Sequence, residues 1–204
     1  MVFIDDLAIE LYSLAFVGLL TLYMTLKMYF AYRRGEKNLE GHVRSGIIPM
    51  TVLGIFILIM GLAGEMTWPL PGQYNILFFD PYVMLGVILV GATVSMLLRQ
   101  KLQNVGFLTL MVGLMLLDYG YQAYHLGLTS APIALLGLYS AYGVAAIFAY
   151  PVTLLIDGAD SKKGKSDIKW TIALVIFWIF LLLASIVAAF VASSAIPSHL
   201  LKAP

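Results

Sequence analysis

The chain has 204 residues, of which 61% are hydrophobic and only 11% charged, and its formal net charge is +1. A soluble domain is roughly 45–50% apolar and about 25% charged, so a soluble domain, a disordered chain and a fibrous repeat are excluded and a polytopic membrane protein remains. The near-neutral charge gives no case for a nucleic-acid partner, and the lack of cysteine excludes disulfides, iron–sulfur clusters, thiolate metal sites and cysteine nucleophiles.

Six stretches have the roughly 20 mostly apolar residues that a membrane-crossing helix needs. They cover about 8–30, 47–68, 82–98, 105–124, 132–155 and 170–196. The runs are continuous, not alternating, so helices and not barrel strands are expected. The predicted fold is all-α: one integral membrane domain over 1–204, a polytopic six-helix bundle. The first span is not a cleaved signal peptide, because Asp5 and Asp6 flank it and its apolar run is too long. Pro49 and Pro132 are expected in first turns, where a missing N–H costs little. Pro69, Pro71 and Pro81 bracket a connection, and Pro197 follows the last span. Pro151 falls inside the fifth span and predicts a kink there.

Basic residues set the orientation. Lys27, Arg33, Arg34, Lys37 and Arg44 follow the first span, Arg99 and Lys101 the third, and Lys162, Lys163, Lys165 and Lys169 the fifth. Only Lys202 belongs to the other side. The positive-inside rule places the three basic connections in the cytoplasm and both termini on the non-cytoplasmic side, in the cell membrane. Halves of three spans would have opposite orientation, as inverted-repeat transporters do, but the halves share no residue-level similarity. Gly164-Lys165-Ser166 lacks the first glycine and the preceding strand of a phosphate-binding loop.

Small residues recur at intervals of four. Gly137, Ala141, Ala145 and Ala149 form one stripe in the fifth span, and Ala184, Ala188 and Ala192 another in the sixth. Such stripes let backbones approach in lipid, either inside the bundle or at a subunit interface. Trp68, Phe78, Phe79, Tyr82 and Tyr124 read as one interfacial aromatic belt; Tyr29, Tyr32, Tyr150 and Trp170 read as the other.

Charged side chains within a bilayer are expensive and mark function or an internal partner. Glu10, Glu65 and Asp118 all fall in the outer half, with no lysine or arginine in that layer except Lys202. Asp118, Tyr121, Gln122 and His125 share one edge of the fourth span. Tyr139 and Tyr142 offer hydroxyls from the fifth. An unpaired carboxylate must be protonated and hydrogen-bonded, hold a cation, or line a wet vestibule. Glu65, Asp118 and His125 thus form a candidate metal or proton site, with Glu10, Asp80, Tyr121, Gln122, Tyr139 and Tyr142 as supporting polar groups. The alternatives are neutral acids acting as interhelix glue and residues lying outside the bilayer. Oxygen and imidazole ligands suit zinc, manganese, iron or copper, but HExxH and His-x-His spacings are absent. A bis-histidine haem between His42 and His125 is excluded by their opposite depths; His125 with Met66 or Met84 is the other haem pairing considered. No lysine at mid-membrane means no retinal Schiff base, and Ser130 near His125 lacks a third group for hydrolysis.

The connection from Trp68 to Pro81 is rigid at its start and apolar in its second half. Ile76 to Phe79 are expected to dip into the interface or cap the bundle, over Glu65 and Asp118 and beside Asp80.

Ser45-Gly-Ile-Ile-Pro-Met50, Glu65-Met-Thr-Trp-Pro-Leu-Pro-Gly72, Phe79-Asp-Pro-Tyr82 and Asp118-Tyr-Gly-Tyr-Gln-Ala-Tyr-His125 resemble a family of small archaeal multi-pass membrane proteins of unknown function. The resemblance implies a helical bundle and transfers no catalytic residue. The leading functional expectation is a non-catalytic subunit of a homo-oligomer or larger membrane complex, with the bilayer as partner. The alternatives are ion, metal or proton handling at the outer cluster, and a cofactor-binding membrane oxidoreductase subunit.

Overall fold

A computed structural model describes residues 6–36, 39–129, 131–158 and 168–202. Among them are six helices: α1 (Asp6–Arg33), α2 (Leu39–Thr67), α3 (Gln73–Leu97), α4 (Gln103–His125), α5 (Pro132–Gly158) and α6 (Ile168–Lys202). Each carries an apolar segment long enough to cross a bilayer. Large apolar side chains face outward all around, among them Ile48, Ile133 and Phe190. Asp5, Lys37, Ser130, Lys162, Lys163, Gly164, Lys165 and Ser166 lie outside the described residues.

The helices extend past the apolar runs, and this moves several prolines. Pro132 opens α5 and Pro151 lies within it, as the sequence predicts. Pro49, expected in a first turn, sits inside α2 on an exposed face, because α2 starts back at Leu39. Pro197 lies within α6 instead of after it. The largest correction concerns α3, which begins at Gln73 and includes Pro81. The connection from α2 is therefore only 68–72. Ile76 to Phe79 form helix, not a re-entrant cap, and Phe79 and Tyr82 are core residues rather than belt.

Two features make so tight a reversal work. Trp68 and Gly72 adopt positive φ, 50° and 55°. Asn75, fully buried, donates Nδ2 to the Gly64 carbonyl at 3.2 Å and accepts the Leu70 N–H at 3.3 Å. It satisfies backbone groups that water cannot reach.

Pro81 has no N–H for the Leu77 carbonyl one turn earlier. The Tyr139 hydroxyl of α5 donates to that carbonyl instead. A helix defect is thus filled from a neighbouring helix, and α3 is tied to α5.

Each helix packs mainly against its sequence neighbours, and α6 closes onto α1, so the six form a ring. Two seams are glycine-tight. Between α2 and α3, a Cβ on Gly86 would lie 2.7 Å from the Leu58 Cα and one on Gly61 2.8 Å from Val83 Cγ2. Between α4 and α5, a Cβ on Gly113 would lie 2.7 Å from the Gly143 carbonyl oxygen. The α3–α4 seam is the loosest of the ring; a Cβ on Gly91 there would meet only Val105, at 3.9 Å.

The small-residue stripes are used in part. Ala145 packs with Leu174, Phe177 and Leu181 of α6, and Ala188 and Ala192 pack with Leu11, Ala15 and Leu138. Ala184 is fully buried, and Ala141 and Ala149 are half-buried. Gly137 departs from the expectation: it is exposed, with open space where a Cβ would project.

One end of the ring carries the start of α1, the end of α6 and the residues 68–72 and 126–129, and a hydrogen bond from the Tyr74 hydroxyl to the Leu128 carbonyl joins α3 to the residues after α4 there. The other carries, among the described residues, Arg33, Arg34, Arg99 and Lys101. There the Asp157 carboxylate of α5 accepts the Leu102 and Gln103 N–H groups, both at 2.9 Å, and so caps α4.

Candidate functional site

The ring encloses a cavity of about 290 Å³. All six helices line it. On α1 the lining runs from Glu10 to Met28, on α3 from Phe78 to Met96, and on α5 from Leu138 to Ile156. Each stretch rises about 27 Å at 1.5 Å per residue, close to the roughly 30 Å of a hydrocarbon core. A volume of that size drawn out over that length makes a narrow tube, one hydrocarbon chain wide.

The wall chemistry changes along the tube. Toward the termini end it includes Glu10, Tyr82, Tyr139 and Tyr142; toward the basic end it includes Met24, Met28, Met50, Met96, Leu102 and Ile156. Methionine is unbranched and adapts to irregular surfaces. Four of the five lining threonines, all but Thr21, spend their protons on their own helices: Thr25 on the Thr21 carbonyl at 2.8 Å, Thr93 on Leu89 at 2.9 Å, Thr109 on Val105 at 2.8 Å and Thr153 on Tyr150 at 2.7 Å. These four present no free donor, and most of the remaining wall is apolar, so the tube is largely hydrocarbon in character. Among the described lining residues Glu10 is the sole ionisable acid or base of the Asp, Glu, Lys, Arg and His set.

Hydrogen bonds cross the ring toward the termini end. Ser13 donates to the Glu10 carbonyl at 2.7 Å and, its proton spent, accepts from Tyr82 at 2.6 Å, joining α1 to α3. The Tyr139–Leu77 bond joins α5 to α3. Beside them, Tyr119 of α4 donates to Asp80 of α3 at 2.6 Å. Glu65 of α2 approaches the Asp80 carboxyl, and its own Oε1 is buried with no hydrogen bond. Tyr142 is half-buried, and its hydroxyl oxygen, which is buried, lies against Ser185. The Ser185 hydroxyl donates to the Leu181 carbonyl at 2.7 Å, which leaves its oxygen to accept from Tyr142.

The polar residues named from the sequence therefore divide into two groups. Glu10, Tyr139 and Tyr142 line the tube, and Glu65 meets Asp80 beside it. Asp118, Tyr121, Gln122 and His125 lie on the exposed edge of α4. There Gln122 Nε2 donates to Asp118 at 3.3 Å and the Tyr121 and His125 rings stack at 5.9 Å. The reason is steric. Gly113 must face α5, and Asp118, five residues on, lies about 140° around the helix from it. Glu65, Asp118 and His125 do not converge, and among the described residues no three His, Asp or Glu side chains could hold a metal ion. Met66 and Met84 are both exposed, on α2 and α3.

Reading the sequence for charge missed the tube itself, together with the place of Tyr82 and of the lining threonines and methionines in it. The signal was present as a stripe on the first span: Glu10, Leu14, Val17, Thr21, Met24 and Met28 recur at intervals of three and four.

A family model for proteins of unknown function, DUF981, matches residues 1–202. The chain belongs to the DUF981 family. No curated protein and no solved structure matches it. Membership in DUF981 brings no activity with it, so the function must be argued from the tube and its lining.

Proposed function

We propose that this chain is a membrane protein that holds the hydrocarbon chain of a lipid-like molecule inside its six-helix ring. The carrying observation is the length of the apolar lining, close to a bilayer core and one chain wide. Energetics support it. Empty apolar volume costs on the order of 24 cal/mol per Å³, so 290 Å³ left vacant would cost roughly 7 kcal/mol. That is comparable with the whole stability of a typical domain. Filling the tube with methylene groups recovers the lost dispersion contacts. An ion path is the poorer fit, because four of the five lining threonines spend their protons on their own helices and, among the described residues, no acid or base lines the tube beyond Glu10. The basic connections support a membrane orientation with Glu10 in the outer leaflet.

The test is extraction. Protein purified in mild detergent is treated with organic solvent and the extract is analysed by mass spectrometry. About one apolar chain per protein is expected. Ala146→Phe, which places a ring in the tube, should expel it while the protein remains folded by circular dichroism. Equal extracts from wild type and Ala146→Phe would sink the reading.

A further inference from the structure

The outward faces of α2 and α4 repeat at the same intervals with opposite chemistry. On α2 the exposed residues Ile48, Val52, Ile55, Ile59, Leu62 and Met66 follow one another at spacings of four and three, and every one suits lipid. On α4 the exposed series at those spacings is Phe107, Met111, Leu114, Asp118, Tyr121 and His125. Its half toward the basic end is apolar and its other half is not, and Gln122, also exposed, flanks Asp118. Asp118 stands seven residues before the last residue of α4, about 10 Å down the helix, so the aspartate faces hydrocarbon. Charged and strongly polar side chains at that depth almost always turn toward protein. These are turned away from their own ring: Thr109, which lines the tube, lies about 180° around α4 from Asp118.

We infer that this edge of α4 is a homodimer seam, covered by the same edge of a second copy of the chain. Alternate spacings of four and three are the repeat with which two helices mesh side chains along a left-handed crossing. The positive-inside rule orients every copy alike, so the two α4 helices run parallel about a two-fold axis along the membrane normal, and like levels meet. The hydrogen-bonding groups of the edge complement one another under that symmetry. Gln122 spends one amide hydrogen on Asp118 of its own chain at 3.3 Å, and among the described residues neither side chain makes a further hydrogen bond. Each glutamine retains a second amide hydrogen and each aspartate a second oxygen, one helical turn apart. The glutamine of one copy therefore donates to the aspartate of the other, twice per dimer, and each carboxyl accepts from two amides. Phe107, Met111 and Leu114 continue the contact toward the basic end. The seam faces away from the tube and stands independently of what the tube holds.

The chain has no cysteine, so single cysteines report the seam directly in liposomes of the full-length protein. Oxidative crosslinking between copies is expected to be fast at Leu114→Cys and Tyr121→Cys. It should be slow at Ile59→Cys on α2 and at Leu108→Cys, which is exposed on α4 but about 100° around from Phe107. Energy transfer between donor- and acceptor-labelled copies, titrated against lipid, gives the dimer affinity. Asp118→Leu combined with Gln122→Leu should weaken it about tenfold, while circular dichroism shows the helices retained. Asp118→Asn, which keeps the hydrogen-bonding capacity, should stay near wild type. Transfer no greater than chance proximity at every dilution, or equal crosslinking at Leu114, Leu108 and Ile59, overturns the seam. Transfer unchanged in the double leucine variant overturns the pairing of Asp118 with Gln122, and this edge as the interface with it.

Discussion

The α4–α5 and α3–α4 seams both join consecutive helices through short connections, yet they are built differently. The first is backbone against backbone, with Gly113 and Gly143 each projecting no side chain into the other's carbonyl. The second is side chain against side chain, with space around Gly91 and a hydrogen bond from Tyr119 to Asp80 near the termini end. A short connection therefore fixes which helices are neighbours; the residues at the seam fix how closely they approach. The same contrast shapes the tube. Tight seams hold α2 to α3 and α4 to α5 as rigid hairpins, and the tube lies between them, bordered by the seam that closes least.

Matched glycine substitutions should separate the seams most sharply. Gly113→Ala forces a methyl to within 2.7 Å of a backbone oxygen and should cost about 3 kcal/mol, read as a large fall in thermal midpoint in detergent. Gly91→Ala meets only Val105 at 3.9 Å and should be neutral or stabilise by about 0.5–1 kcal/mol through helix propensity. Equal losses at the two sites would abolish the distinction. Next in size is Tyr119→Phe, which removes the bond to Asp80. A loss of about 1–2 kcal/mol is expected, with faster labelling of a cysteine introduced at Val112, which lines the tube; unchanged labelling would show that the bond does not hold this seam.

The smallest effect belongs to the basic end, far from both seams. Glu36 is held below the usual carboxylate range by hydrogen bonds from Arg34 at 2.7 Å and His42 at 2.5 Å. A lowered carboxyl stabilises the fold above its unfolded value, and that contribution fades as pH falls through the folded value. The exposed position keeps it small. Glu36→Gln should flatten this part of a stability–pH profile below the ordinary carboxylate range and leave neutral stability nearly unchanged. A profile identical to wild type would remove Glu36 from the account.

The helix count was plain from hydropathy, since lipid demands long apolar runs and little else. The ends of α3 were not, because Pro81 reads locally as a stop; what keeps the helix going is a hydroxyl from Tyr139, far away in the chain. The acids were legible as anomalies but not as a site. Asp118 and Asp80 look alike in sequence, and only the glycine face of α4 decides that one is turned outward while the other meets Tyr119 and Glu65. The tube was the least legible, since its lining consists of ordinary apolar residues whose common property is the side they share.

The borrowed hydroxyl at Leu77 has a mechanical consequence. That peptide carbonyl answers to two helices at once, and hydrocarbon has no water to replace a partner that leaves, so exposing it costs several kcal/mol. Any twist of the first turns of α3 must therefore drag α5 along or meet that penalty, and the two behave as gears on a common shaft.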